Sequence, residues 1–150
     1  MNQNERANRY LKDANLETSG RGKLKIFFGY AAGVGKTYSM LAEAQDLKQE
    51  GQDVIIGYLE DHGRADTRNL ARGLESIPVK KESYKGMYLQ EFNLDGALER
   101  HPQTILVDEL AHTNTKKSRH LKRYQDIQEL LTAGINVYTT LNVQQLESLH

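Results

Sequence analysis

The chain has 150 residues, its 20 Lys and Arg balance 20 Asp and Glu, and it has no cysteine. Zero net charge gives no overall field favouring nucleic acid or an anionic membrane, and without thiols there is neither a disulfide scaffold nor cysteine-ligated zinc. At 38% hydrophobic this length buries an ordinary core, while no signal-peptide core or run of about 18 apolar residues occurs, so an intracellular domain is expected.

Residues 4–16 have modest helical character, and Thr18-Ser19-Gly20-Arg21-Gly22 reads as a linker, so 1–20 is a polar segment and the ordered domain begins near Lys23. The apolar run at 23–28 predicts a short strand buried on both faces. Met40, Leu41, Ala44 and Leu47 recur at helical spacing over 36–50, with Gly51 as the stop. A strand follows at 53–60, a loop at 61–64 and a helix at 65–74. The segment 77–92 suggests a hairpin or edge strand around Lys85-Gly86. A helix at 94–100 carries Asn93 as its cap, and 104–107 is a buried strand ending in Asp108-Glu109. After the polar stretch 112–123 comes a helix through Ile127, Leu130 and Leu131 that Gly134 ends. A last strand spans 135–141, and Asn142 is placed to cap a helix over 143–150. That helix stops almost where it starts, so a longer parent is expected. Alternating strands and helices predict an α/β fold with a mostly parallel sheet and helices on both faces.

Strand 24–28 runs directly into Gly29-Tyr30-Ala31-Ala32-Gly33-Val34-Gly35-Lys36-Thr37 and a helix. Strand, glycine-rich turn and a helix opening on Lys-Thr form the layout of a phosphate-binding P-loop. Glycines let backbone amides curl around a polyanion, and the helix adds the positive end of its dipole. Lys36 would place a point charge on the outer phosphates and Thr37 a hydroxyl on Mg²⁺. The strict G-x-x-x-x-G-K-[ST] spacing is not met: Tyr30 stands where the first glycine belongs, and Gly29 sits one residue early. The amides of Gly33 through Thr37 remain, so the departure touches hydrolysis more than binding. The alternative is a strand-to-helix turn without a ligand.

An apolar strand ending in acids has the form of a Walker B segment and is expected beside the P-loop strand. Asp108 is then the Mg²⁺ holder and Glu109 the candidate base or water-orienting group. Thr139, Thr140 and Asn142 close the last strand, where polar groups either sense the outer phosphate or serve β-propensity and helix capping. Lys116, Lys117, Arg119, Lys122 and Arg123 read better as a solvated loop and helix start than as an arm reaching phosphates. Glu60, His62 and Arg64 read as a surface loop near the carboxyl edge of the sheet, and His112 and His120 as polar loop residues.

Several unusual segments also match a known family in order: Arg21-Gly22-Lys23-Leu24-Lys25-Ile26-Phe27-Phe28-Gly29, Ala32 through Thr37, Met40-Leu41-Ala42-Glu43-Ala44, Asp108-Glu109-Leu110-Ala111-His112-Thr113-Asn114, Ser118-Arg119-His120 with Lys122-Arg123, Gln125-Asp126-Ile127 with Glu129-Leu130-Leu131, and Thr139-Thr140-Leu141-Asn142. Together they resemble the N-terminal cytoplasmic domain of the KdpD potassium-sensing histidine kinases over residues 21–150. The resemblance implies a P-loop NTPase-like domain that binds ATP and Mg²⁺ within a membrane sensor kinase controlling a potassium-uptake operon. It implies a nucleotide site of Gly29, Ala32, Gly33, Val34, Gly35, Lys36, Thr37, Tyr38 and Asn142, with Thr37 and Asp108 on the metal. The implied partners are later domains of the parent and, indirectly, a response regulator, with no nucleic acid and no direct membrane contact from this segment. No phosphoacceptor His box or kinase core can be read in these residues, so histidine kinase activity is not expected in them, and with the first glycine displaced, as in the family's atypical Walker A, any ATPase activity of this chain is expected to be slow. Two rivals stay open: a small NTPase or nucleoside kinase using Glu109 as base, and an interaction module whose loop no longer binds.

Overall fold

The computed structural model describes residues 22–29, 34–60 and 65–143. In chain order these form β1 (Leu24–Gly29), α1 (Val34–Gln49), β2 (Val54–Tyr58), α2 (Ala65–Ala71), β3 (Glu75–Ser76), β4 (Lys80–Tyr84), β5 (Met87–Glu91), α3 (Leu94–Arg100), β6 (Thr104–Val107), α4 (Arg123–Thr132) and β7 (Asn136–Asn142). Five strands make a sheet in the order β1-β7-β6-β2-β3, with every pairing parallel. β4 and β5 form a separate antiparallel ribbon. The fold is the expected α/β arrangement with a mostly parallel sheet.

Strand periodicity divides the core into two layers. Val54, Ile56 and Leu106 face α1 and pack on its Met40, Leu41 and Ala44. Ile55, Ile105, Val107, Val137 and Leu141 face the other way, onto Ile127, Leu130 and Leu131 of α4 and Leu94 and Ala97 of α3. Helices thus cover both faces, which is why β6 is buried throughout. β1 departs from the expected two-sided burial: it is half-buried with Lys25 exposed. The cause is its place at the margin of the described sheet, with a strand neighbour on the β7 side. Lys25 there pairs with Glu43 and lies 5.4 Å from the Phe27 ring centroid.

Local signals place most element ends. Gly51 and Gly134 take φ of 88° and 92° where α1 and α4 stop, a backbone region that glycine enters without a Cβ penalty. Lys85 and Gly86, at φ 48° and 78°, give two consecutive left-handed residues, the twist that a two-residue hairpin loop needs. The Asn93 side chain accepts from the Gly96 amide at 3.1 Å, capping α3 as expected.

Further expectations need correction. α2 ends at Ala71 rather than at 74, because Leu74 turns inward, 7% exposed, and the chain adds the short β3 to the edge of the sheet. Gly22, read as linker, is buried: its amide donates to Leu131 O at 3.0 Å, and a Cβ there would meet Ile135 O at 2.2 Å. The strand ending in Asp108 does not lie beside β1; β7 pairs with both and separates them. Those that concern Glu60, and Arg123 with its neighbours, are taken up with the site. The predicted helix at 4–16, the loop at 61–64 and the helix at 143–150 beyond Val143 lie outside the described residues.

Candidate nucleotide site

The candidate site lies at the carboxyl edge of β1, β7 and β6, where α1 begins. β1 ends on Gly29, and Asn142 stands opposite it in the β1–β7 register. Tyr30, Ala32 and Gly33 lie outside the described residues; Val34 opens α1. Gly29 has a specific use here. A Cβ at that position would come within 2.6 and 2.7 Å of Lys36 Cγ and Cδ, so the missing side chain makes the seat over which the lysine stem crosses the strand end. Gly35 faces open space, and Tyr38 is 46% exposed.

Thr37 and Asp108 meet across the site although 71 residues separate them, with Oγ1 and Oδ2 at 3.4 Å. Asp108 is 2% exposed. Its carboxylate accepts from the Thr140 hydroxyl and from the Glu60 amide at 3.0 Å. Burial pushes its carboxyl above the ordinary range, more than these donors pull it back. The insertion of β7 between β1 and β6 is what brings Thr140 here. Its hydroxyl donates to Asp108 and accepts from the Glu109 amide at 3.0 Å, and its carbonyl accepts from Leu110 N at 2.9 Å.

Glu109 has φ 64°, a left-handed backbone that a non-glycine residue holds only where surrounding structure over-determines it. The Thr140 contacts to both flanking amides supply that constraint. Glu109 is half-buried, and burial followed by the nearby Glu60 and Asp108 charges raises its carboxyl. Glu60 is also half-buried, bonded through its side chain to the Tyr58 hydroxyl and through its amide to Asp108. Reading it as a surface loop missed this, though its position at the carboxyl end of β2 was the available signal.

The largest correction is Arg123, read as part of a solvated basic stretch. It is fully buried. Its guanidinium lies 4.2 Å from the Tyr58 ring centroid, NH1 donates to the Asp108 carbonyl at 2.9 Å, and NH2 lies 3.5 Å from Glu91 Oε2. Sequence pattern gave no sign of this, because a basic residue opening an amphipathic helix normally faces water. Neighbouring residues are also engaged: Arg119 pairs with Asp95 and Glu129, His120 with Glu129 at 2.8 Å, and His112 with the buried Glu91 at 2.9 Å. Thr139, grouped with Thr140 in sequence, is fully buried and its hydroxyl has no hydrogen-bond partner among the described residues. The alternation of the strand puts it on the face opposite Thr140.

The donor chemistry fits a hard cation carried by phosphates. A hydroxyl and a carboxylate 3.4 Å apart are oxygen donors of the kind Mg²⁺ uses, usually one or two protein groups completed by phosphate and water. Among the described residues no group of three or more His, Cys, Asp or Glu could hold a metal alone. No described helix is long and apolar enough to cross a membrane.

Comparison with known proteins agrees with the resemblance read from the motifs. The chain is 61% identical over 138 residues to the sensor protein KdpD of Clostridium acetobutylicum, covering 92% of this chain and 15% of that protein. It is 58% identical over 130 residues to the sensor protein KdpD of Escherichia coli K12, covering 87% and 14%. With the putative sensor protein KdpD of Synechocystis it shares 55% over 130 residues, covering 87% and 35%. The chain therefore spans about 15% of the length of the first two of these relatives. Residues 20–150 match the family described as KdpD, osmosensitive K⁺ channel His kinase sensor domain, and the chain belongs to that family.

Proposed function

We propose that this domain binds Mg-ATP as a regulatory ligand, within a membrane sensor histidine kinase of a two-component system that controls potassium-uptake genes. The observation that carries the site is the meeting of Thr37, Asp108 and Thr140 at the start of α1, beside the Lys36 stem lying over Gly29. Backbone amides at the start of α1 and Lys36 would take the phosphates. Thr37 and Asp108 would hold Mg²⁺, which supplies charge neutralisation for the phosphate chain when bound. The Thr140 hydroxyl and the Glu60 amide keep the Asp108 carboxylate aimed before any ligand arrives, a preorganisation that lowers the cost of binding. Binding would shift a conformational equilibrium felt by later domains, and so the kinase-to-phosphatase balance toward a response regulator. That requires ATP to bind one state more tightly than the other.

Calorimetric titration of Mg-ATP into wild-type and Lys36→Ala protein tests the site. Binding by wild type and its loss in the variant are expected; equal binding by both would overturn the assignment.

A second reading, a phosphotransfer or hydrolytic enzyme, is favoured by one observation, the strained backbone and raised carboxyl of Glu109. Such a group suits a base or a water-orienting role. Phosphate release faster than about 1 s⁻¹, abolished by Glu109→Gln, would establish it in place of slow or absent turnover.

A further inference from the structure

Arg123 is the largest fully buried side chain among the described residues, and the nucleotide reading gives it no task. Burying a guanidinium is expensive, and an apolar residue of similar volume often serves stability as well or better. Its contacts show what it joins. NH1 holds the carbonyl of Asp108 at 2.9 Å, one residue before the strained Glu109, and the guanidinium covers Tyr58 at the end of β2. NH2 points to Glu91, the last residue of the β4–β5 ribbon, but at 3.5 Å, the long limit of a hydrogen bond, and Nε has no hydrogen-bond partner among the described residues. Glu91 is itself 4% exposed and bonded to His112. The same stretch of chain touches the ribbon again where the Thr115 hydroxyl donates to Glu82.

One cation therefore stands between two anionic regions: Asp108 with Glu109 on one side, Glu91 on the other. We infer that Arg123 couples the nucleotide site to the β4–β5 ribbon: a cation held at Asp108 releases part of the pull on Arg123, the Arg123–Glu91 contact tightens, and β5 is steadied. The coupling rests on the Mg-ATP reading above. Its physical basis is Coulombic, since a divalent charge beside Asp108 repels the guanidinium and offsets the carboxylates that attract it. By linkage the effect is reciprocal, so a partner that displaced the ribbon and Glu91 would alter nucleotide affinity by the same factor.

The ribbon suits a readout. It has two strands and lies outside the five-stranded sheet, so its amides exchange with solvent by local opening rather than by global unfolding. Global stabilisation by a ligand leaves such rates unchanged, whereas a tightened Glu91 contact slows them. Amide hydrogen exchange of residues 80–91 is followed with and without saturating Mg-ATP, in wild type, Glu91→Gln and Arg123→Lys, with affinities measured by calorimetry. In wild type, Mg-ATP is expected to slow exchange in β5 about fivefold or more. Glu91→Gln, nearly isosteric, is expected to bind Mg-ATP within about fivefold of wild type and to lose the response of the ribbon. Arg123→Lys, which keeps the charge but not the planar fork, should lose it as well wherever it folds. Wild-type binding without a ribbon response would overturn the coupling and leave the nucleotide reading intact. A full response in Glu91→Gln would do the same. No calorimetric binding to wild type would overturn both.

Discussion

Two clusters of charge lie at opposite ends of the parallel sheet and solve opposite problems. At the amino ends, Arg100 forks onto Asp53 at 2.7 and 2.8 Å and onto Glu75 at 2.8 and 3.0 Å. Both carboxylates are exposed and Arg100 is half-buried, and the Arg100 hydrogen bonds hold both carboxyls below their ordinary values. At the carboxyl ends, Asp108 and Glu109 are drawn inward, and burial raises both. Hydroxyls and an amide aim Asp108 without matching its charge. The first cluster is complete in itself and closes an edge of the fold. The second carries the electrostatic cost of burial, which on the proposed reading a bound cation would relieve.

The sharpest test of this contrast is Asp108→Asn. It should weaken Mg-ATP binding by about 1.5–3 kcal/mol, as for a lost charge-assisted contact, without lowering the melting temperature of the ligand-free protein. A clear loss of ligand-free stability with unchanged binding would make Asp108 a structural acid like Asp53. Thr140→Val should come next. It removes the donor to Asp108 and the acceptor for the Glu109 amide, and urea unfolding should register a loss of about 1–2 kcal/mol.

The pH dependence should differ in sign between the two clusters. Asp108 and Glu109, with folded carboxyls raised, favour folding below the unfolded values near 4, and that contribution is lost as pH rises through the raised folded values. Asp53 and Glu75, with folded carboxyls depressed, contribute above the unfolded values and lose it as pH falls through the folded ones. Urea midpoints from neutral to acid pH should therefore show a gain on the upper part of the range that Asp108→Asn reduces, leaving the shares of Glu109 and Asp126, whose carboxyls burial also raises. The acid-side loss should shrink in Arg100→Ala and leave the share of Glu91, whose carboxyl the His112 contact holds below its ordinary value against the cost of burial. The smallest effect is that of Arg100→Ala itself at neutral pH: a slight fall in melting temperature that shrinks at high salt, as for exposed ion pairs.

Much of the fold was legible because its signals are local. The Lys85-Gly86 hairpin, the Asn93 cap and the glycine stops after α1 and α4 each depend on backbone preferences of one or two residues. The meeting of Thr37 with Asp108 was legible because a phosphate and metal site, the expectation drawn from the motifs, calls for a hydroxyl and an acid at those places. Less could be read for Glu60, whose amide enters the site while its side chain looks like any strand-end acid. Arg123 could not be read at all, since a basic residue at a helix start carries no mark of burial when its partners are a carbonyl 15 residues back and a carboxylate 32 residues back.

The sequence by itself determined the alternation of strands and helices, the glycine-rich stretch between β1 and α1, and the acids that end β6, since these follow from periodicity and side-chain chemistry within short windows. The tertiary structure alone decided that β7 enters between β1 and β6, setting Thr140 against Asp108, and that Arg123 lies buried between Asp108 and Glu91. Strand order and burial come from pairings between distant segments, whose partners no local pattern names.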